Sequence, residues 1–308
     1  MQRRAGALRE ADAVGSGIKQ VLPRGGDRFL ARQRLAVASS LDARERVWAS
    51  LLSGPPGFTQ PVEPRLLRLA AQPAPGDPLT DNLGTRPELG LLVLDPTTRQ
   101  RMRFNGRGLR RPQGLFLLVD QAYGNCPKYV QLRRPERDGE IAADEPPRIS
   151  PALDERQRSA IAHADTFFVA SFHPEGGADA SHRGGRPGFV RVLAEDRLAF
   201  DNYAGNGMFN TLGNLVGHPQ AGLLFLDFET GDVLQLTGRA RVETDFSVVL
   251  QIDEVRETRG MSPLRYRLVE PSPSNPPLSR EDRAGIPSAE PATTGDEGGC
   301  DGQADHLR

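Results

Sequence analysis

Apolar residues occur along this chain in short runs, some continuous and some alternating with polar positions. The first half holds RLAVASSL, VWASLL, RLLRLAA, LGLLVLD, RMRFNG and LFLLVDQAY, and the second half TFFVASF, FVRVL, RLAFDN, AGLLFLDF, VLQLTGRARV and SVVLQIDEV. Runs this short, bounded by Pro, Gly and Asp, predict the strands of a sandwich or barrel. One helix-like stretch interrupts each set. In the second half it covers 209–217, where Leu212, Leu215 and Val216 share a face while Gly213 and Gly217 weaken the helix, so tertiary packing has to hold it. Segment 135–153 is rich in Pro, Glu, Asp and Arg and predicts a linker. Segment 272–308 turns to Pro, Ser, Gly and acid, too poor in apolar residues to fold, and predicts a disordered tail.

The chain also repeats itself. Asn82-Leu83, Pro87, Gly90-Leu91-Leu92, Leu94-Asp95 and Gly106-Arg107 recur 132 positions later as Asn214-Leu215, Pro219, Gly222-Leu223-Leu224, Leu226-Asp227 and Gly238-Arg239. Upstream, Val37-Ala38-Ser39 matches Val169-Ala170-Ser171 at the same offset, and ASLLSGPPGF from 49 matches ASHRGGRPGF from 180 one residue out of step. Matches that keep a common order predict two copies of one β-rich domain, at 25–134 and 154–271, after an N-terminal segment 1–24.

Composition narrows the function classes. A formal charge of −1 over 308 residues leaves no basic field to recruit nucleic acid. No apolar run approaches the ~20 residues of a membrane span, and MQRRAGALRE is not followed by an apolar segment, which predicts neither membrane association nor secretion. The two cysteines, Cys126 and Cys300, offer no disulfide framework and no thiolate metal site, which suits a reducing cytoplasm. His163, His173 and His218 lack ligand spacing, so no metal is expected. Of the 39 basic residues only Lys19 and Lys128 are lysines, a bias that weakens any argument from a lone arginine.

Candidate chemistry gathers in the second copy, in FDNYAGNGMFNTLGNLVGHPQAGLLFLDFETGDVLQLTGRARV and in ADASHRGGRPGFV upstream of it; YGNCPKYVQLR stands near the end of the first copy. These strings resemble FMN-binding, pyridoxamine 5'-phosphate oxidase-like proteins, in particular their flavin-nucleotide-binding branch, and the resemblance runs through both copies over about 24–277. It implies a mainly β fold of two tandem FMN-binding split β-barrels with short helices, packed as an intrachain pseudo-dimer. It also places Met1 inside the family's usual N-terminal region. The type enzyme carries an Arg-Lys pair after the Asn-Tyr strand, where this chain has Gly207 and Met208, which puts pyridoxamine 5'-phosphate in doubt as the substrate.

A flavin needs a cationic or N–H-lined pocket for phosphate, polar groups along its ribityl chain and pyrimidine edge, and an apolar slot for its ring. Gly205-Asn206-Gly207 ahead of the helix offers N–H groups for the phosphate. Arg183, with Gly184 giving room and Arg186 nearby, offers the missing charge. Ser181, His182, Asn202 and Tyr203 serve the ring or sugar chain. Copy one has Leu51-Leu52 where copy two has His182-Arg183, so one FMN per chain is expected, with Lys128 and Tyr129 of copy one as a wall of the pocket. The implied function is an FMN-dependent oxidoreductase acting on a small organic substrate, with NADH or NADPH as a candidate donor. A non-catalytic flavin-binding or flavin-sensing module, and a binder of heme or a deazaflavin, are the alternatives. The catalytic residues are not legible at this level.

Overall fold

The computed structural model describes residues 15, 17–139, 146–205 and 208–278. Two antiparallel sheets dominate it. The first comprises β1 (Leu35–Leu41), β2 (Val47–Ser53), β3 (Thr59–Glu63), β4 (Leu66–Leu69), β5 (Glu88–Asp95), β6 (Gln100–Arg111) and β7 (Gly114–Gly124), in the order β2-β1-β5-β6-β7-β4-β3. After two short strands, β8 (Leu132–Pro135) and β9 (Arg148–Ser150), come the strands of the second sheet. These are β10 (Thr166–His173), β11 (Gly177–Gly184), β12 (Val190–Ala194), β13 (Arg197–Phe200), β14 (Gln220–Leu226), β15 (Val233–Val242) and β16 (Val248–Thr258), followed by β17 (Tyr266–Glu270). The second sheet runs β11-β10-β14-β15-β16-β13-β12, which is the order of the first, element for element.

Local features repeat with the strands. A bulge falls between Asn105 and Gly106 and again between Thr237 and Gly238. At both positions only glycine fits, because a Cβ would lie 2.0 Å from Leu118 O in one sheet and 2.1 Å from Gln251 O in the other. Helices α1 (Gly26–Leu30), α2 (Leu79–Thr85), α3 (Glu155–His163) and α4 (Asn210–Gly217) are short. Asn82 in α2 donates to Ser40 Oγ at 2.9 Å, and Asn214 in α4 donates to Ser171 Oγ at 3.0 Å. Helix α4 starts one residue after the predicted 209, since Phe209 caps it with φ 56°.

The ladders correct one equivalence. Val37 pairs with Leu92 and Phe168 with Leu224, so Val37 corresponds to Phe168 and not to Val169. Copy two is one residue longer between these strands, which shifts the offset. Leu51 lies opposite Val37 and His182 opposite Phe168, so Leu51-Leu52 do correspond to His182-Arg183.

Each sheet has its own apolar core, and a third core joins them. Val37, Ala49 and Leu92 pack there with Phe168, Ala180 and Leu224. Gly90 and Gly222, at the same place in the repeat, let the halves meet: a Cβ on Gly90 would lie 2.7 Å from the backbone of Ala178 and Asp179, and one on Gly222 would lie 2.7 Å from Val47 O. The contact is therefore two-fold in character, like that of an isologous dimer, but within one chain.

Two predicted boundaries move. Strand β8 pairs with β17 and β9 with β16, so within 135–153 Pro135 and residues 148–150 lie in sheets and are not free linker. Ser272 and Asn275 are buried; Ser272 N and Asn275 Nδ2 donate to Gln131 Oε1 at 2.7 and 3.1 Å, so the chain packs on copy one beyond 271. These hydrogen bonds offset the ordering entropy that composition alone counts. Cys300 and the rest of the tail lie outside the described residues. Among those residues no helix is long and apolar enough to cross a membrane, and no His/Cys/Asp/Glu group is placed to hold a metal ion.

Candidate anion and cofactor cleft between the halves

Strand β6 alternates. Met102 and Phe104 enter the core of the first half, while Arg101, Arg103 and Asn105 turn to the second half. Opposite them β11 presents Asp179, Ser181, His182 and Arg183, all buried. The Asp179 carboxylate accepts from Arg103 Nη1 at 3.2 and 3.3 Å, from Asn105 Nδ2 at 3.1 Å and from the Tyr123 hydroxyl at 3.3 Å. Asn210, at the start of α4, donates to the Tyr123 oxygen at 3.0 Å, and the hydroxyls of Ser181 and Thr211 lie 2.8 Å apart.

Arg101 faces no carboxylate. Its Nε and Nη2 donate to Cys126 O at 3.1 and 2.8 Å, and its Nη1 donates to His182 Nδ1 at 2.9 Å. A guanidinium only donates, so Nδ1 accepts and the imidazole proton sits on Nε2, which is buried without a partner. Burial, followed by the charges of Arg101 and Arg183, holds His182 well below the ordinary histidine range and therefore neutral.

Three buried guanidiniums thus lie together with one carboxylate, which pairs with Arg103 and leaves Arg101 without one among the described residues. Burial, then repulsion from Arg103 and Arg183, pulls Arg101 down to about 9. Burial and Arg103 pull Arg183 down to about 10. Burial opposes the charge of Arg103 too, but Asp179 and the Tyr123 oxygen outweigh it and raise its pKa. Tyr123 is pushed up to about 12 by burial and by Asp179. Nine buried side-chain N or O atoms lack a partner among the described residues, and five are here: Arg103 Nε, Arg183 Nε, His182 Nε2, Asn105 Oδ1 and Asn125 Oδ1. Buried polar groups are ordinarily satisfied, so this concentration marks a place where a ligand completes the network.

Two adjoining cavities open from these groups. One of about 150 Å³ is lined by Arg101, Arg103, Asn125, Cys126 and Arg183. The other, of about 350 Å³, is lined by Asn105, Gln121, His173, Asp179 and Asn214. Met208, Phe209 and Asn210 line both. The second alone reaches the ~300–1,000 Å³ range of small-molecule sites. A third cavity, of about 460 Å³, lies elsewhere, between α3 and the β14–β15 turn, and none of its lining side chains carries an unpartnered buried atom.

Most of the predicted site residues meet at this cleft. Arg183 and Asn202 line the smaller cavity, with Gly205 beside them. Lys128 of copy one lies over Gly205, its Nζ 3.2 Å from where a Cβ would be. Tyr129 donates through its hydroxyl to Ala204 O and sets its ring 5.3 Å from that of Tyr203. Gly184 has a different reason to be glycine, since Tyr129 O would sit 2.0 Å from its Cβ. Asn206 and Gly207 lie outside the described residues. Arg101, Arg103, Asn105, Tyr123 and Asp179 escaped the sequence reading. Their signal was the polar alternation in RMRFN within a buried strand, masked by an arginine-rich composition.

Residues 153–261 match the pyridoxamine 5'-phosphate oxidase family. The match contains the β11 and α4 side of the cleft but not Arg101, Arg103 or Asn105. Among solved structures, HupZ of Group A Streptococcus aligns at 11% identity over 34% of this chain and 99% of its own, with a TM-score of 0.27. A candidate pyridoxamine 5'-phosphate oxidase of Lactobacillus delbrueckii aligns at 18% identity over 34% and 94%, also at 0.27. The conserved hypothetical protein Rv2991 of Mycobacterium tuberculosis aligns at 14% identity over 46% and 96%, at 0.23. Comparison with curated proteins gave no match.

Proposed function

Taking residues 153–261 as a domain of the pyridoxamine 5'-phosphate oxidase family, we propose that the two halves act as tandem split barrels and hold one FMN in the cleft between them. In this reading the protein is a flavin-dependent oxidoreductase for a small organic substrate, supplied with electrons by NADH or NADPH. The observation that carries it is the buried cluster of Arg101, Arg103 and Arg183, in which Asp179 pairs with Arg103 and Arg101 has no carboxylate among the described residues. An uncompensated buried guanidinium is costly, and a doubly charged phosphate between Arg101 and Arg183 removes that cost through charge-assisted hydrogen bonds. The first turn of α4 adds its N–H groups and dipole.

When bound, FMN supplies the hydride and electron chemistry. The chain's residues would bind and orient it: Arg101 and Arg183 would hold the phosphate, Thr211, held by Ser181, lines the same cavity, and Phe209, buried at the start of α4, would exclude water. A flavin-binding module without turnover is the second reading, favoured by the mutual engagement of Tyr123, Asp179 and Arg103, which leaves no poised acid or base among them.

Adding FMN to the purified protein should perturb the flavin absorption band and quench its fluorescence, and NADH or NADPH should then bleach the bound flavin. Absence of any spectral change overturns the cofactor assignment. Binding without bleaching favours the second reading.

A further inference from the structure

We propose that Asn105 reads the uncharged, N–H-donating end of the ligand, so that FMN lies along β6 with its phosphate in the arginine cavity and its pyrimidine edge in the larger chamber. This rests on the FMN reading above and adds its direction and the residue that discriminates its far end.

The orientation of the Asn105 amide is fixed by its neighbours. Its Nδ2 faces Asp179 Oδ1 at 3.1 Å and Gln121 Oε1 at 3.4 Å. A carboxylate only accepts, so the amide cannot turn over without setting two acceptors against each other. Asn105 Oδ1 is therefore held away from them, and it is buried with no partner in a residue that is 4% exposed. An acceptor in that position calls for a donor from the ligand.

Charge points the same way. No Lys or Arg is among the described residues lining the larger chamber, while Asp179 is. A phosphate belongs at the arginine end and an uncharged heterocycle at the other. His173 also lines this chamber: its Nδ1 accepts from the N–H groups of Glu175 and Gly176, both at 3.2 Å, which leaves the proton on Nε2, on the ring edge beside Gly217. An imide N–H flanked by carbonyl groups, as on the flavin pyrimidine ring, suits an Asn acceptor with an imidazole donor nearby. Arg101, Arg103 and Asn105 are alternate residues on one strand, so the series spans about 13 Å, comparable to an extended flavin mononucleotide. The corresponding residue of copy two, Thr237, is already satisfied by Val47 O at 2.8 Å.

The test compares FMN, riboflavin and N3-methyl-FMN as probes, with dissociation constants from fluorescence quenching. Asn105→Thr installs the residue that copy two carries at this place and should weaken FMN and riboflavin by the same factor, about 3- to 10-fold for one hydrogen bond. Arg183→Ala should weaken FMN by tenfold or more and leave riboflavin unchanged. In the unaltered chain N3-methyl-FMN should bind at least tenfold more weakly than FMN, a result that does not depend on any variant folding. The proposal is overturned if N3-methyl-FMN binds as well as FMN, or if Asn105→Thr affects FMN alone. If the unaltered chain binds neither FMN nor riboflavin, the cofactor reading itself fails.

Discussion

The contact between the halves creates two clefts at equivalent places, and they have opposite fates. One is lined by Arg101, Arg103, Asn105, Asp179 and Arg183, with Tyr123 and Ser181 hydrogen-bonded to Asp179 behind them. By ladder register the corresponding residues of the other are Val233, Gln235, Thr237, Trp48 and Leu52, with Arg256 and Ser50. In that second cleft the chain supplies its own anion. Asp77 enters it and accepts from Ser50 Oγ at 2.6 Å, Leu79 N at 2.9 Å and Gln235 Nε2 at 3.0 Å. Trp48, which stands where the first cleft has Asp179, is fully buried there, with the guanidiniums of Arg46 and Arg256 lying 5.3 and 5.0 Å from its ring. None of these side chains carries an unpartnered buried atom, whereas the arginine cleft holds five. A single topology thus yields one cleft closed by its own residues and one that an outside ligand completes.

The largest effect expected from this contrast is on binding. Arg101→Ala combined with Arg183→Ala should weaken FMN more than 100-fold, since each hydrogen bond to a charged group contributes about 1.5–3 kcal/mol. Leu52→Ala, the counterpart of Arg183→Ala, should cost about 2–5 kcal/mol of stability and leave FMN affinity unchanged. Equal losses of affinity would show that the clefts have been exchanged.

A second test concerns Asp77. Burial raises its carboxyl from 3.8 to about 6, against the hydrogen bonds from Ser50, Leu79 and Gln235. Between those values the folded chain keeps a proton that the unfolded chain has lost, so this group's contribution to stability falls as pH rises from about 4 to 6, by about 3 kcal/mol in total. Asp77→Asn should remove that fall, and denaturant unfolding of both proteins at pH 4 and pH 7 measures it. Parallel pH profiles for the two would contradict the buried-carboxylate account.

Arg101 behaves in the opposite sense. Its folded pKa, pulled down to about 9, lies below the ordinary guanidinium range, so the ligand-free chain gains stability as pH rises above 9. FMN affinity, which needs the charged guanidinium and the doubly charged phosphate, should be flat between about pH 7 and 8, fall above 9, and weaken below about pH 6 as the phosphate takes up a proton. Arg101→Met should stabilise the ligand-free chain by an amount on the order of 1–3 kcal/mol, seen as a higher melting temperature, and abolish most of the rise that FMN confers on the unaltered chain. A lower melting temperature for the ligand-free variant would show that the cluster is compensated from within.

The smallest expected effect belongs to Lys128. Its side chain is exposed beside Gly205, where screening limits its contribution. Lys128→Ala should weaken FMN by less than about threefold, and less still at high salt. A tenfold loss would move the phosphate from Arg101 toward the 203–205 turn.

The strands and the shared strand order of the two sheets were legible because they rest on short apolar runs and on a motif copied at a near-constant offset. So was the β11 side of the cleft, through SHRGGRPG beside the Asn-Tyr strand. Its β6 side was not. Arg101 and Arg103 become conspicuous only when packing shows that Asp179 pairs with Arg103 and leaves Arg101 without a carboxylate, a property that no local window contains. The same limit explains 272–278: Ser272 and Asn275 read as tail residues until Gln131 and Tyr129 are placed against them.

The stoichiometry of FMN bound to the full chain, from flavin released on denaturation against protein concentration, tests the asymmetry of the two clefts most directly. One flavin per chain is expected, because Asp77 and Trp48 close the second cleft. Two per chain would contradict that closure, and none after incubation with excess FMN would contradict the assignment of the arginine cleft.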